Sequence, residues 1–167
     1  LSFPRRVHHD ELMEVFPELV RYHVRVNERI LDQTTKLTED EFRRPGTTDN
    51  GSAHDTLLHM LIVDWSWREF CIGNDDDDSY PDGWPFPDLA TIRSFWDEEH
   101  ARLLGYASSL DEPAMSETLT WESEGTQWAA PRWEVIAHIV NHGTQHRSEM
   151  ARYLTDCGHS PGDLDLI

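Results

Sequence analysis

Apolar residues recur at intervals of three and four through Leu12, Phe16, Leu19, Val20, Val26 and Ile30, with His23 and Asn27 on the same stripe. This spacing predicts an amphipathic helix running to about Leu37. Pro17 falls inside it, so either the main helix begins near Phe16, where a first turn tolerates proline, or a longer helix kinks there. Thr38 with Glu41 three residues on is a capping-box pattern, and it predicts a short connecting helix closed by RRPG. Ser52 suits the N-cap of a long helix over about 53–72, with Leu58, His59, Ile62, Val63, Ser66 and Phe70 along its inward side.

Gly73 ends that helix, and NDDDDSYPDGWPFP reads as a long exposed loop because its prolines, glycine and acidic run suit neither helix nor central strand. Asp75 to Asp78 lack the alternating ligands, the glycine and the terminal Glu of a calcium-binding EF-hand loop, and read as solvated. Asp88 caps a third long helix over about 89–109, with Leu89, Ile92, Phe95 or Trp96, Glu99 or His100, Leu103 and Leu104 inward. Weak alternation in SETLTWESEGTQWAA around a central Glu-Gly predicts a short β-hairpin. Pro131 then suits the first turn of a last helix that runs to about Asp156 and stops at Gly158. Its inward stripe is Val135, His138 or Ile139, His142, His146, Met150, Tyr153 and Leu154. Four long amphipathic helices around one core predict an all-α four-helix bundle, with residues 1–167 as a single domain.

Charge narrows the class of partner. Asp and Glu number 32 against 14 Lys and Arg, and Lys36 is the only lysine. Such a surface repels phosphate backbones, which argues against nucleic-acid binding. No apolar run approaches the ~18 residues of a membrane span, and LSFPRRVHHDELM lacks the apolar stretch of a signal peptide. Cys71 and Cys157 make no disulfide framework, so the expected compartment is the cytoplasm.

The candidate chemistry lies in AHIVNHGTQHRSEM, where His138, His142 and His146 share one helical face. Adjacent members can grip one metal ion, but all three cannot, since eight residues of helix span about 12 Å and zinc ligands stand only about 2.0 to 2.1 Å from the ion. One adjacent pair must recruit a further ligand, and His59 in HDTLLHMLIVDWSW is the candidate. A carboxylate-bridged two-metal site needs Glu three residues before an inward histidine; Ile139 and Gly143 stand there instead, so a single ion is expected. Three neutral imidazoles leave open coordination positions, the catalytic pattern, for zinc or for nickel, cobalt or iron.

NHGTQHRSEMARYLTDCGHSPGDLD resembles the last helix of the DinB/YfiT-like helical bundle proteins, with their NH-x3-HR motif. AHDTLLHMLIVDWSW is similar to the family's second helix, and VNERILDQTTKLTEDEFRRP to its first helix and connector. The resemblance implies metal ligands at His59, His142 and His146, an up-down-down-up bundle, frequent homodimers, and kinship with metal-dependent transferases that use low-molecular-weight thiols. Ser148-Glu149 departs from the commoner Gly-Gln of the motif.

The leading expectation is therefore a metal-dependent, small-molecule thiol S-transferase with one divalent ion, zinc or nickel foremost, and a low-molecular-weight thiol as co-substrate. His23, Asn27, Trp96, His100 and His138 are the candidate cofactor-binding residues, and Arg147 is expected to be a structural ion-pair partner. The alternatives are a non-catalytic metal-binding stress or ligand-sensing protein, and a metal-dependent hydrolase. Hydrolysis needs a general base, and the expected registers place neither Asp64 nor Glu99 squarely on an inward face.

Overall fold

The structure is a computed structural model that describes residues 9–74 and 80–166. The readings of Asp75 to Asp78 and of residues 1–8 lie outside the described residues, as does the side chain of Leu12. Eight elements follow in order: α1 (His9–Thr34), α2 (Glu39–Phe42), α3 (Ala53–Cys71), α4 (Leu89–Ser109), α5 (Glu112–Ser116), β1 (Thr118–Ser123), β2 (Thr126–Pro131) and α6 (Arg132–Asp156).

The helix starts are set by side chains that satisfy otherwise orphaned amides. Thr38, Ser52 and Asp88 each accept from the backbone N–H three residues on, and Glu41, Asp55 and Thr91 return the bond, closing capping boxes at α2, α3 and α4. Asp111 accepts from Ala114 N–H and starts α5, a short helix that the sequence pattern does not announce. Pro17 lies inside α1, so the longer helix is the one formed. That helix stops at Thr34, short of Leu37, because the following amides of Lys36 and Leu37 bond three residues back in tight turns. Pro131 is not in the first turn of α6: its φ of −66° and ψ of 148° make it the extended N-cap residue that also ends β2.

Pairwise contacts fix the topology. α1 touches α4 and α6, and α3 touches the same two, which gives the ring order α1, α4, α3, α6. Phe16 meets Trp133 while His23 meets Arg147, so α1 and α6 run parallel. His59 meets His142 whereas Trp67 meets His138, so α3 opposes α6. Asp64 pairs with Trp96 and the Cys71 carbonyl with Tyr106, so α3 and α4 run parallel. The bundle is up-down-down-up, and residues 72–88 must return the chain along the full bundle before α4 can begin. That requirement is the physical reason for the long connection.

Two apolar clusters fill the interior. One gathers Ile30, Leu57, Leu61, Ile92, Trp96 and Met150; the other gathers Val20, Leu103, Met115, Ile136 and Ile139. Between them, on the same helices, lies a layer of buried polar side chains: His23, Asn27, Asp64, His100 and Arg147. The hairpin β1–β2 pairs antiparallel with Trp121 opposite Trp128 and Leu119 opposite Ala130, so these four share a face.

The α3 register differs from the sequence reading. Leu58 is buried as expected, but the buried set also takes in Ala53, Thr56, Leu57, Met60, Leu61, Asp64, Arg68 and Cys71, while Ser66 is exposed and His59 sits half-buried at its edge toward α6. Asp64 and Glu99, expected near the inward faces but not squarely on them, are 1% and 0% exposed. Internal partners explain the rotation: Asp64 is met by His23 and Trp96, and Glu99 by a two-pronged bond from Arg68, so neither carboxylate needs water.

Candidate metal centre

α3 brings His59 against two successive turns of α6. Nε2 of His142 lies 2.9 Å from Nε2 of His59 and 3.2 Å from Nε2 of His146. The chelating atoms of all three lie within 4.8 Å of one another. Two nitrogens bound to one ion at about 2.0 to 2.1 Å stand roughly 2.9 to 3.4 Å apart over the range from octahedral to tetrahedral angles, and both Nε2 separations fall in that range. In the tautomers that free these nitrogens, a cation placed among them would take their lone pairs. The donor set therefore fits one divalent ion with open positions.

The environment favours the neutral, metal-binding form of His142 and His59. Burial, reinforced by His146 and His59, pushes the His142 imidazole down to about 4, against the pull of Asp64. Burial and His146 likewise lower His59, with Glu149 opposing. Around His146, Nδ1 lies 3.3 Å from Oε1 of Glu149 and 3.3 Å from Asn50 Nδ2. A proton on Nδ1 shared with that carboxylate leaves Nε2 as the free lone pair, the orientation a ligand requires. Ser148, the other departure from the commoner motif, is exposed and donates to the Thr144 carbonyl at 2.8 Å.

Directly behind the ligands sits the polar layer. Asp64 accepts from His23 Nε2 at 2.9 Å and from Trp96 Nε1 at 3.0 Å. Arg147 Nη1 donates to His23 Nδ1 at 3.0 Å and to Asn27 Oδ1 at 2.9 Å, and Asn27 Nδ2 lies 3.3 Å from His100 Nε2. Burial raises the Asp64 carboxyl, but His23, His100 and Trp96 outweigh it and hold the group below its ordinary range. Arg147 was expected to make an ion pair; it instead hydrogen-bonds His23 and Asn27, with its guanidinium 5.6 Å from the Tyr22 ring centroid and its charge balanced across His23 by Asp64. Gly143, mid-helix, is required by this packing, since a Cβ there would stand 2.4 Å from Arg147 Nη1 and 2.6 Å from His23 Cε1.

Of the side chains expected to contact a cofactor, His23, Asn27, Trp96 and His100 are buried in this layer. His138 is exposed, one turn before His142, with its ring 5.4 Å from Trp67 and 5.9 Å from His142. The sequence reading passed over Asn50 and Glu149 at His146, Asp64 as the centre of the layer, and Trp67 and Trp121. Glu149 was recoverable from its spacing of three from His146; Asn50 sits on a turn far away in the chain and carries no periodic signal.

Residues 9–167 match the family model described as DinB family. No curated protein matches the chain. Among the described residues no helix is long and apolar enough to cross a membrane.

Proposed function

We propose that this chain, which belongs to the DinB family, holds one divalent metal ion on His59, His142 and His146 and acts as a thiol S-transferase on a small electrophile. The observation that carries the reading is the convergence of three imidazoles from two helices, with Nε2 separations of 2.9 and 3.2 Å. A zinc or nickel ion held there supplies Lewis acidity that lowers the pKa of a low-molecular-weight thiol. In the transfer the thiol sulfur bonds to the electrophilic carbon, its proton passes to solvent, and the leaving group departs with the electrons of the broken bond.

The protein's share is positioning. Glu149 orients His146, and the Asp64, His23, Asn27 and Arg147 layer fixes α1, α3 and α6 against one another behind the ligands. In this reading His23, Asn27, Trp96 and His100 act through that layer, and His138 stands at the rim where substrate enters. Hydrolysis is less well supported because the nearby carboxylates are engaged: Asp64 by His23 and Trp96, Glu99 by Arg68, and Glu149 by His146. A homodimer in the cytoplasm belongs to the same proposal.

Elemental analysis tests the metal site first. About one ion per chain is expected in the parent and little in His142→Ala; a parent that takes up neither zinc nor nickel would remove the basis of the reading. For the reaction, electrophile-dependent consumption of added thiol is the expected result. Saturable thiol binding without product would make the protein a binder or sensor instead.

A further inference from the structure

Beside the histidines, a cleft of about 210 Å³ opens between α3, α6 and the hairpin, lined by Trp67, Trp121, Ala130, Glu134, Val135 and His138. Its walls are aromatic rings set nearly square to one another. Trp67 meets Trp121 at 5.4 Å and 85°, and meets His138 at 5.4 Å and 70°. Phe70 meets both indoles in the same edge-on manner, 5.6 Å from Trp67 and 5.8 Å from Trp121. Trp128, cross-strand partner of Trp121, extends the same hairpin face and is 53% exposed. The site described above uses none of these indoles.

We propose that this cleft is an aromatic cage for a methylated or otherwise alkylated ammonium group. Indole faces carry negative potential and attract such cations, whose charge is spread over apolar methyl groups. The one carboxylate of the lining, Glu134, supplies a full negative charge, and the lining contains no lysine or arginine. Arg132, the arginine nearest in sequence, is committed elsewhere: it donates to the carbonyls of Cys71 and Ala114, to Tyr106 and to Glu117. A formal net charge of −18 draws cations toward the surface at longer range.

Volume and position set the ligand's shape. Whole-ligand pockets run from about 300 to 1,000 Å³, so this cleft takes a head group and leaves the remainder outside. His138 lines the cleft, and His142 follows it by one turn of α6. A molecule anchored by its ammonium group can therefore extend along α6 to the three histidines. This last step rests on the metal reading above; the cage itself does not.

The test uses tryptophan fluorescence of chelator-treated full-length protein, titrated with choline and with its uncharged carbon isostere 3,3-dimethylbutan-1-ol. Saturable binding of choline, about tenfold tighter than the isostere, is expected. Trp121→Leu should weaken choline by about tenfold and Glu134→Gln by about threefold, both with unchanged far-ultraviolet circular dichroism. Equal binding of both probes would make the cleft a neutral apolar pocket, and absence of saturable binding would leave it a packing gap; either overturns the cage. His142→Ala, which tests the metal site, should leave choline affinity within about twofold. The two readings can thus fail separately.

Discussion

Glu149 presents Oε1 to Nδ1 of His146 at 3.3 Å, one helical turn further along α6. Its second oxygen is buried without a hydrogen-bond partner among the described residues, so the carboxylate is not shared with a competing cation there. A carboxylate so placed fixes the ring's tautomer and raises its basicity as a ligand. Glu149→Gln restores the commoner residue of the motif and removes the charge while keeping an acceptor. Zinc affinity, measured by competition with a chromogenic chelator, is expected to fall by about tenfold. An unchanged affinity would show that Glu149 does not tune His146 as a ligand.

Gly143→Ala should destabilise the fold although alanine is the better helix former. The propensity gain is about 1 kcal/mol, but the new methyl would stand 2.4 Å from Arg147 Nη1 and 2.6 Å from His23 Cε1. Both neighbours are anchored, Arg147 on Asn27 and His23 on Asp64, so neither retreats without breaking a buried hydrogen bond. Overpacking of this kind costs about 1 to 3 kcal/mol and a lost bond about 1 more. Urea denaturation should give a net loss of about 2 kcal/mol; a variant more stable than the parent would show that α1 and α6 can part at no cost.

How much of this was legible in the chain depends on whether local pattern or distant partners decided it. The capping residues Thr38, Ser52 and Asp88 announce their helices, because a cap is settled within four residues. The hairpin came from its Glu-Gly turn, where Glu124 and Gly125 both adopt positive φ. The three clustered histidines were legible because His59 fell on an inward face of its own helix and the motif resemblance chose His142 and His146 over His138. The rotation of α3 was not. The amphipathic reading puts Asp64 only near the inward face, and the arrival of His23, Trp96 and Glu99 from other helices is what makes full burial of Asp64 and Arg68 favourable.

Asp64→Asn probes the layer behind the metal centre. The substitution keeps one acceptor oxygen, but puts an amide donor near His23 and Trp96 and leaves Arg147 without its balancing charge. Breaking one side of a buried charge arrangement costs about 3 to 5 kcal/mol, and the loss is expected in chemical denaturation of the metal-free protein. Asp64→Asn combined with Arg147→Met should recover part of it, because both buried charges are then gone. If the double variant shows no recovery, the two residues are not electrostatically coupled.

His100 gives the layer a signature in pH. Its Nδ1 is buried without a partner among the described residues and its Nε2 faces the Asn27 amide at 3.3 Å. Burial drives the imidazole from 6.5 down to about 4, with His23 and Arg147 adding to the effect and Asp64 opposing it. An unfolded chain therefore takes up this proton near pH 6.5 while the folded chain resists until about pH 4. Over that interval the unfolded state binds more protons, so stability falls as pH falls. The shift corresponds to roughly 3 kcal/mol lost between the two pKa values, with little further change from this group below them. Metal-free protein should show that slope in denaturation midpoints between pH 7 and 4, and His100→Gln should flatten it by about that amount while the contributions of His59 and His142 persist. A slope unchanged in His100→Gln would mean that His100 takes its proton in the folded protein as readily as in the unfolded chain.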